Sequence, residues 1–339
     1  MSKKHVNIPI FIPHKGCRYD CAFCNQKKIS GQMTEMTENK MESIIQDHIK
    51  TVAEDSFVEI AFFGGSFTGI EKERQIEYLK LANEYIDKGF VKEIRISTRP
   101  DYINNEILEY LAKYNVGTIE LGAQSLDELV LKGSNRGHDV YDVYYSSNLI
   151  KQKGFRLGIQ TMVGLPCDTF EKSINTAKKI VLLKPDFVRI YPALVIKGTE
   201  LERMYVNKEY KPLKLEDAVE LCSQILSIYD KHKIKVIRVG LMPTDNIAEG
   251  KDVVSGPFHP AFRQLVTSRQ VLKSIEKEIL ERKLFKNENL EIISTEKNIS
   301  NLVGHKSANI KYLKSKYKFK FINIKSEKEV LTAEGYFIK

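Results

Sequence analysis

The sequence predicts an α/β protein: an incomplete β/α barrel or an open doubly wound sheet, followed by a small α/β subdomain. From residue 6 to about residue 240, short apolar runs rich in β-branched residues alternate with amphipathic stretches, which is typical of β/α units around a parallel sheet. Polar and glycine-rich clusters directly follow most of these runs, at the strand ends where such folds bind ligands. Beyond residue 190 the alternation becomes irregular, and a lysine-rich α/β pattern closes the chain.

Six strands and five helices are predicted in the first 190 residues. The apolar, β-branched runs predict strands at Val6–Ile12, Val58–Phe63, Glu93–Ser97, Thr118–Leu121, Leu157–Val163 and Phe187–Ile190. The stretches of helical periodicity between them predict helices near 38–53, 71–88, 104–114, 139–153 and 169–183.

The chain beyond residue 190 predicts a helix, a strand and a long loop. An irregular segment precedes a helix at 214–231, and Lys233–Val239 has the composition of a further strand. The stretch 243–260 is rich in Pro, Gly and Asp, which favours a covering loop, and a long helix follows at 260–284.

The last 55 residues predict a small α/β subdomain, with a strand at 290–293, a helix at 306–317, a strand at 318–324 and a closing hairpin near Gly335. We therefore predict three parts: a core at 1–240, a covering loop and long helix at 241–284, and a basic C-terminal subdomain at 285–339.

The composition is that of a globular protein without membrane spans. Hydrophobic residues make up 42% of the chain, enough for a sizeable core, and this excludes wholesale disorder. No stretch approaches the ~18 consecutive apolar residues of a membrane-spanning helix. The N-terminus has no apolar segment followed by a cleavage site. We expect a cytoplasmic protein with no membrane partner.

The positive charge is concentrated at the C-terminal end. The segment Arg282–Lys339 holds 13 basic and 6 acidic residues, so it carries +7 of the chain's net charge of +9. This favours a polyanionic partner, nucleic acid before membrane, although a lysine-rich surface without a partner is the alternative. Gly304 opens a basic helix in a pattern similar to nucleic-acid-binding KH modules, and a plain capping or dimerising subdomain is the alternative. Five lysines are candidate nucleic-acid contacts: Lys306, Lys311, Lys314, Lys316 and Lys318.

Three cysteines directly after the first predicted strand form the strongest motif. Cys17, Cys21 and Cys24 have the spacing C-x3-C-x2-C. Three thiolates on one tight loop hold three irons of a [4Fe–4S] cluster and leave the fourth iron open. A structural zinc site needs four closed ligands, and zinc binding or chance clustering are the alternatives. An open iron can bind a group that chelates through an amino group and a carboxylate, as the methionyl end of S-adenosylmethionine does.

Two further cysteines are treated separately. Cys167 follows Gly-Leu-Pro after the fifth predicted strand, and we expect its small side chain to face the pocket. Cys222 falls on the apolar face of a predicted helix, so we expect it in the core.

With this cysteine motif after strand one, the sequence resembles the radical S-adenosylmethionine (radical SAM) superfamily. The resemblance covers about residues 5–240 and implies a partial (β/α)6 barrel of the TIM type, with a [4Fe–4S] cluster and S-adenosylmethionine as cofactors. Cys17, Cys21 and Cys24 are then the metal ligands and catalytic residues. Phe23 matches the aromatic position that lies against the adenine, and Gly64-Gly65 resembles the turn whose backbone approaches the methionyl amino group.

Three segments resemble the catalytic subunit of Elongator more narrowly: Ser97–Asp101, Glu120–Ser125 with Asn135–His138, and Arg189–Pro192 with Lys197–Thr199. The spacing from Gln124 to Arg136 is also similar to that in oxygen-independent coproporphyrinogen oxidases. By this resemblance Gln124 and Arg136 contact S-adenosylmethionine, Arg136 through the carboxylate, while Ser97 and Gln160 are expected at the ribose hydroxyls. We expect an Elongator-like radical core without acetyl transfer.

Three functions follow from these observations. The leading one is reductive cleavage of S-adenosylmethionine to a 5′-deoxyadenosyl radical that modifies RNA, in particular a tRNA base. A reducing electron donor of the flavodoxin or ferredoxin type is then a partner. The first alternative is a small-molecule radical enzyme of the porphyrinogen-oxidase type, and the second is a non-catalytic RNA-binding protein with a zinc or iron–sulfur knuckle.

Overall fold

The chain forms two compact units, the first from residues 1–214 and 229–258 and the second from residues 215–228 and 259–339. A computed structural model describes residues 5–12, 20–25, 36–53, 55–241, 247, 250–286, 288–328, 330, 332 and 335–339. The three-part division predicted from the sequence stays a prediction.

A seven-stranded parallel sheet forms the centre of the first unit and curls into a half-barrel. The strands of this unit are β1 His5–Ile12, β2 Phe57–Gly64, β3 Glu93–Thr98, β4 Val116–Gln124, β5 Arg156–Val163, β6 Phe187–Pro192, β7 Val195–Ile196, β8 Lys235–Val239 and β9 Val253–Ser255. The sheet order is β1-β2-β3-β4-β5-β6-β8, and β7 pairs with β9 separately. The predicted partial barrel of the TIM type is confirmed, and the further strand at 233–239 is its seventh strand.

Helices connect the strands of this sheet, as the alternating pattern predicts. They are α1 Glu38–Ile49, α2 Lys72–Asp87, α3 Asn105–Lys113, α4 Glu128–Gly133, α5 Val140–Gln152, α6 Phe170–Leu183 and α7 Glu200–Val206, followed by α8 Leu215–Lys231. Polar residues mark their starts; Asp139 and Asp142 form a reciprocal capping box at α5. The sequence missed α4 and α7, because helices of 6 and 7 residues contain too few turns to show a periodicity.

One face of the sheet is apolar and the other is unusually polar. Side chains such as Ile60, Ile94 and Ile119 are fully buried on the apolar face. The opposite face carries Glu59, Arg95 and Glu120. On this face Arg95 Nη1 lies 3.4 Å from Glu59 Oε2. Burial lowers the pKa of Arg95, although the charges of Glu59 and Glu120 oppose that shift. Charges buried in this way are tolerated because they are paired.

The second unit builds its own core around a three-stranded sheet. Besides residues 215–228 of α8, it contains α9 Phe262–Glu281, β10 Asn289–Ser294, α10 Glu296–Val303, α11 Ala308–Tyr317, β11 Phe321–Ser326 and β12 Tyr336–Ile338. The sheet order is β11-β10-β12, with β11 parallel and β12 antiparallel to β10. The core contains Ile275, Ile279, Ile292, Leu302 and Leu313, all fully buried. The long helix therefore packs with the C-terminal subdomain.

Across the part of the chain that the structure describes, no helix combines the length and the apolar character that crossing a bilayer requires.

Gly64 at the end of β2 has a strict steric role. Its φ is +102°, and a Cβ there would lie 2.6 Å from the Ile12 carbonyl oxygen of β1. Gly154, after α5, has a similar φ of +83°, but a Cβ there would meet nothing within 4 Å. A side chain at either glycine would therefore strain the backbone, but only a side chain at Gly64 would also collide with a neighbouring strand.

We predict that Gly64→Ala destabilises the protein more than Gly154→Ala does. Both variants lose about 1–2 kcal/mol because an alanine avoids positive φ, and Gly64→Ala loses roughly a further 1–3 kcal/mol from the collision with the backbone of β1. Urea unfolding followed by circular dichroism measures both losses. Equal losses for the two variants would contradict this packing.

Candidate active site

A cavity at the carboxyl ends of the parallel strands gathers most of the predicted site residues. It is lined by Cys21, Phe23, Cys24, Gly64, Gly65, Ser66, Ser97, Thr98, Arg99, Glu120, Gly122, Gln124, Arg136 and Gln160. Nine of the ten predicted site residues are in this set. The tenth, Cys17, lies outside the described residues. Because parallel strands place their carboxyl ends at one edge, residues far apart in the chain meet here.

The segment that carries Cys21 and Cys24 is held by backbone hydrogen bonds on both sides. Cys24 N donates to Cys21 O at 3.0 Å, which closes a turn between the two cysteines. Ala22 N donates to Ser134 O at 3.0 Å, and Leu201 N donates to Ala22 O at 2.7 Å. The short helices α4 and α7 therefore position the cysteine segment. Among the described residues, no three His, Cys, Asp or Glu side chains converge on a metal position.

Two arginines lie beside the Cys21 sulfur. Arg136 Nη1 donates to Cys21 Sγ at 3.0 Å, and Arg99 Nη1 lies 4.0 Å from the same atom. Arg99 is held by a two-point contact with Asp101, at 2.9 Å for each bond, and also donates to the Arg136 carbonyl oxygen. The Arg136 guanidinium is fixed by Gly122 O at 2.5 Å and lies 6.0 Å from the Phe23 ring centroid. Positive charge is thus concentrated at the cysteine side of the cavity.

Three buried polar atoms on the cavity lining have no hydrogen-bond partner among the described residues: Ser97 Oγ, Glu120 Oε2 and Arg136 Nε. Leaving a buried polar atom unsatisfied costs about 1–3 kcal/mol, so such atoms mark places where a ligand is expected. A guanidinium N–H and a hydroxyl match a carboxylate and a ribose, and two thiols match iron. The residues therefore fit an iron–sulfur cluster and S-adenosylmethionine.

A bulge in β4 brings two glutamines together. The register between β4 and β5 shifts between Gly122 and Gln124, and Gln124 has a φ of +64°. Gln160 Nε2 donates to Gln124 Oε1 at 3.2 Å. Bulges redirect side chains near active sites. Here the bulge lies beside the hydrogen-bonded pair Gln124–Gln160 on the cavity wall. The sequence predicts both glutamines as site residues, but it does not indicate the bulge or the hydrogen bond between them.

The Gly64-Gly65 turn joins the ends of β1 and β2. Gly65 N donates to Ile12 O at 3.2 Å, the same oxygen that excludes a side chain at Gly64. Close backbone packing is the reason for Gly64 that the structure gives. The expected approach of this turn to the methionyl amino group stays a prediction.

The sequence analysis did not assign a site role to five lining residues: Ser66, Thr98, Arg99, Glu120 and Gly122. All five lie near or just after the ends of β2, β3 and β4, and that position was the available signal. The prediction for Cys167 was wrong: this residue is exposed and is absent from the lining, with its sulfur 3.0 Å from where a Gly133 Cβ would lie. Cys222 is fully buried, as predicted.

His138 lies behind the cavity wall as a neutral group. Burial, with the charges of Arg136 and Arg99, lowers the pKa of His138 to about 2. Its Nε2 is 3.2 Å from Ala123 O. A proton on this imidazole would be buried beside two guanidiniums, so His138 does not carry protons near neutral pH.

Comparison with known proteins agrees with this geometry. The model of the radical SAM superfamily matches residues 11–180, and that of the radical SAM C-terminal domain matches residues 185–273. The tRNA uridine(34) acetyltransferase of Methanocaldococcus infernus is 31% identical over 194 residues, which cover 51% of this chain and 36% of the relative. Elongator complex protein 3 of Homo sapiens is 30% identical over 191 residues, covering 50% and 35%.

The fold has a solved counterpart. The archaeal Elp3 of Methanocaldococcus infernus, with an N-terminal deletion, superimposes with a TM-score of 0.64 at 24% identity, covering 81% of this chain and 63% of that one. This chain spans about a third of the length of its two curated relatives. The family match covers half of the chain and includes strands β2 to β5 and every residue of the cavity lining. The chain belongs to the radical SAM superfamily and is an enzyme of that family, whose cofactors are a [4Fe–4S] cluster and S-adenosylmethionine.

Proposed function

We propose that this enzyme modifies RNA, and in particular a tRNA base. The cavity, where cysteine thiols, two arginines and unsatisfied polar atoms meet, supports the radical chemistry. The observation that carries RNA as the target is the set of exposed lysines on and beside α11 that have no ion pair among the described residues. In this family the bound cluster and S-adenosylmethionine supply, after reduction, an adenosyl radical that abstracts hydrogen from the substrate. The reductant we propose is of the flavodoxin or ferredoxin type, and the place of action is the cytoplasm.

The side chains around the cavity are assigned roles by their chemistry. Cys17, Cys21 and Cys24 hold the cluster. Arg136 offers the carboxylate of S-adenosylmethionine its Nε, and Ser97 offers a ribose oxygen its hydroxyl; neither atom has a hydrogen-bond partner in the part of the chain that the structure describes. The remaining contacts are Phe23 with the adenine, Gln124 and Gln160 with the nucleoside, and the backbone of Gly64 and Gly65 with the methionyl amino group.

Arg99 and Arg136 also act on the cluster electrostatically. Three thiolates carry negative charge into a cavity where Cys21 and Arg136 are both almost fully buried. Guanidiniums that donate to sulfur offset this charge, since a charge-assisted hydrogen bond is stronger than a neutral one. The ion pair with Asp101 holds the buried guanidinium of Arg99 in place beside the cysteine sulfur.

The second unit supports RNA as the substrate class. Lys306, Lys311, Lys314 and Lys318 are exposed and have no ion pair among the described residues. In contrast, Lys316 is paired with Glu276 at 2.6 Å. Unpaired lysines on and beside α11 leave a positive surface that attracts phosphates, and binding releases counterions. The name of the archaeal relative, a tRNA-modifying enzyme, points to the same substrate class.

A small-molecule substrate of the porphyrinogen type is the remaining alternative, and no feature of the cavity favours it over RNA. A non-catalytic metal-binding protein is excluded by the family.

We predict that Cys24→Ser abolishes cluster binding, whereas Cys167→Ser does not. After anaerobic reconstitution, the parent protein and Cys167→Ser should hold about four irons and four sulfides per chain. Both should form 5′-deoxyadenosine on reduction with dithionite. Iron analysis and chromatography of the nucleoside check this. A Cys24→Ser variant with full iron and turnover would refute the ligand assignment.

We predict that charge reversal on α11 weakens tRNA binding. The variant Lys311→Glu/Lys314→Glu should lose about tenfold or more in affinity and show a shallower dependence on salt, by roughly one unit of slope per lost phosphate contact. The control is Lys80→Glu/Lys178→Glu, which changes the same charge at exposed positions of the first unit.

Filter binding at several salt concentrations measures both variants. Point substitutions are preferred to truncation after residue 283, because removing the C-terminal elements would uncover the apolar face of α9. If both double variants lose equal affinity, or neither does, RNA recognition by this surface is ruled out.

We predict that His138 makes the folded state sensitive to acid. Because the folded pKa is about 2 and the ordinary value is 6.5, the unfolded chain takes up the proton first. Above pH 6.5 the free energy of unfolding does not depend on the protonation of His138. Below pH 6.5 it falls by up to ~1.4 kcal/mol per pH unit as the pH drops. His138→Gln should flatten this dependence, and His232→Gln, at an exposed position, should not.

Urea unfolding of the cluster-free protein between pH 7 and pH 5 measures the slope for each variant. An unchanged slope in His138→Gln would show that His138 titrates normally.

A further inference from the structure

The polar face of the half-barrel continues beyond the cofactor cavity. Gln160 on the cavity wall is in register with Arg189 of β6, which is in turn in register with Arg238 of β8. Residues paired in this way point to the same face of a sheet, and adjacent strands lie about 4.8 Å apart. This row of polar residues therefore extends from the cavity wall on β5 across β6 to β8, on the same face of the sheet as Gln160.

Arg189 is connected to the cavity by its partners. Its Nε lies 3.2 Å from Oε1 of Glu120, a cavity-lining residue, and its Nη1 donates to the Tyr191 hydroxyl at 3.4 Å. The Phe63 ring covers the guanidinium, with its centroid 5.1 Å from Cζ. The side chain of Arg189 is 13% exposed and that of Glu120 is 3% exposed. Arg189 is thus held in one orientation beside the space next to the cofactor.

Arg238 differs from the other cations of this row in its partners. Its neighbours on the polar face are paired: Arg95 with Glu59, Arg156 with Glu59 and Glu93, and Arg189 with Glu120. Arg238 has no carboxylate within 4 Å among the described residues, and it is half-buried.

The Tyr191 hydroxyl accepts from Arg189 and experiences the charge of Arg238 as well. Burial raises the pKa of Tyr191, and the charges of Arg189 and Arg238 oppose that shift. The phenol is therefore a neutral hydrogen-bond donor. Two guanidiniums and a phenol thus provide several N–H and O–H donors on neighbouring positions of one face of the sheet.

We propose that Arg189, Tyr191 and Arg238 bind an oxyanion of the substrate, either a carboxylate or a phosphate. A guanidinium matches either group through two parallel hydrogen bonds. The anion also supplies the negative charge that no described carboxylate provides to Arg238. Glu120 does not repel the anion, since its charge is engaged by Arg189. The proposal rests on the proposed function, because it assigns the substrate position next to the cofactor cavity. If the substrate is RNA, the oxyanion is a phosphate; a carboxylate indicates a small acidic reactant.

The test is calorimetric titration of the reconstituted protein, saturated with S-adenosylmethionine, with sodium phosphate and separately with sodium acetate at constant ionic strength. We expect saturable binding of at least one anion. Arg238→Gln should weaken it about tenfold or more, Arg238→Lys should weaken it less, and Tyr191→Phe should weaken it measurably. The control Arg203→Gln removes an arginine that is exposed and paired with Glu200, and it should leave the affinity unchanged.

The anion that binds more tightly identifies the source of the oxyanion. No saturable binding of either anion, or equal affinity in the parent protein and Arg238→Gln, overturns the proposal; Arg238→Lys guards against a folding defect in Arg238→Gln. Formation of 5′-deoxyadenosine by the parent protein is measured alongside. If anions bind through Arg238 but no 5′-deoxyadenosine forms, the proposed function fails while the anion site stands.

Discussion

The parallel register of the half-barrel is the constraint on which the site depends. The strands β1 to β6 and β8 all run in the same direction, so their carboxyl ends lie at one edge. Arg136 reaches the Cys21 sulfur at 3.0 Å although 115 residues separate them. A change of register by one residue would turn Ser97, Glu120 and Gln160 to the opposite face of the sheet. The chemistry of the cavity is therefore a consequence of strand pairing.

Burying so many polar groups on one face of a sheet carries an energetic cost, and the fold offsets it by pairing. Glu59 is fully buried and lies within 4 Å of both Arg95 and Arg156. Among the described residues, three of the buried polar atoms without a hydrogen-bond partner lie on the cavity lining, on Ser97, Glu120 and Arg136. A site that must accept a charged nucleoside needs such atoms, because a fully satisfied wall has nothing to offer a ligand.

The second unit shows how lysine content and available charge differ. Lys316, Lys320, Lys325 and Lys339 each lie close to a glutamate, so their charge is partly offset within the unit. The exposed lysines on and beside α11 that have no such partner among the described residues are therefore fewer than the five candidates that the sequence indicates. Electrostatic attraction of a polyanion depends on this uncompensated fraction.

The sequence by itself determined the β/α alternation, the positions of the strand ends and the cysteine motif, because these depend on local periodicity and residue type. Ser97, Gln124 and Arg136 were predicted as site residues because they follow strands and match a family pattern. Tertiary structure alone decided the helices α4 and α7 that hold the cysteine segment, the bulge that accompanies the Gln124–Gln160 pair, and the exposed position of Cys167. It also decided which charges are paired and which, like Arg238, have no counterion among the described residues. Pairing depends on distances between strands that are remote in the chain, and no local pattern contains that information.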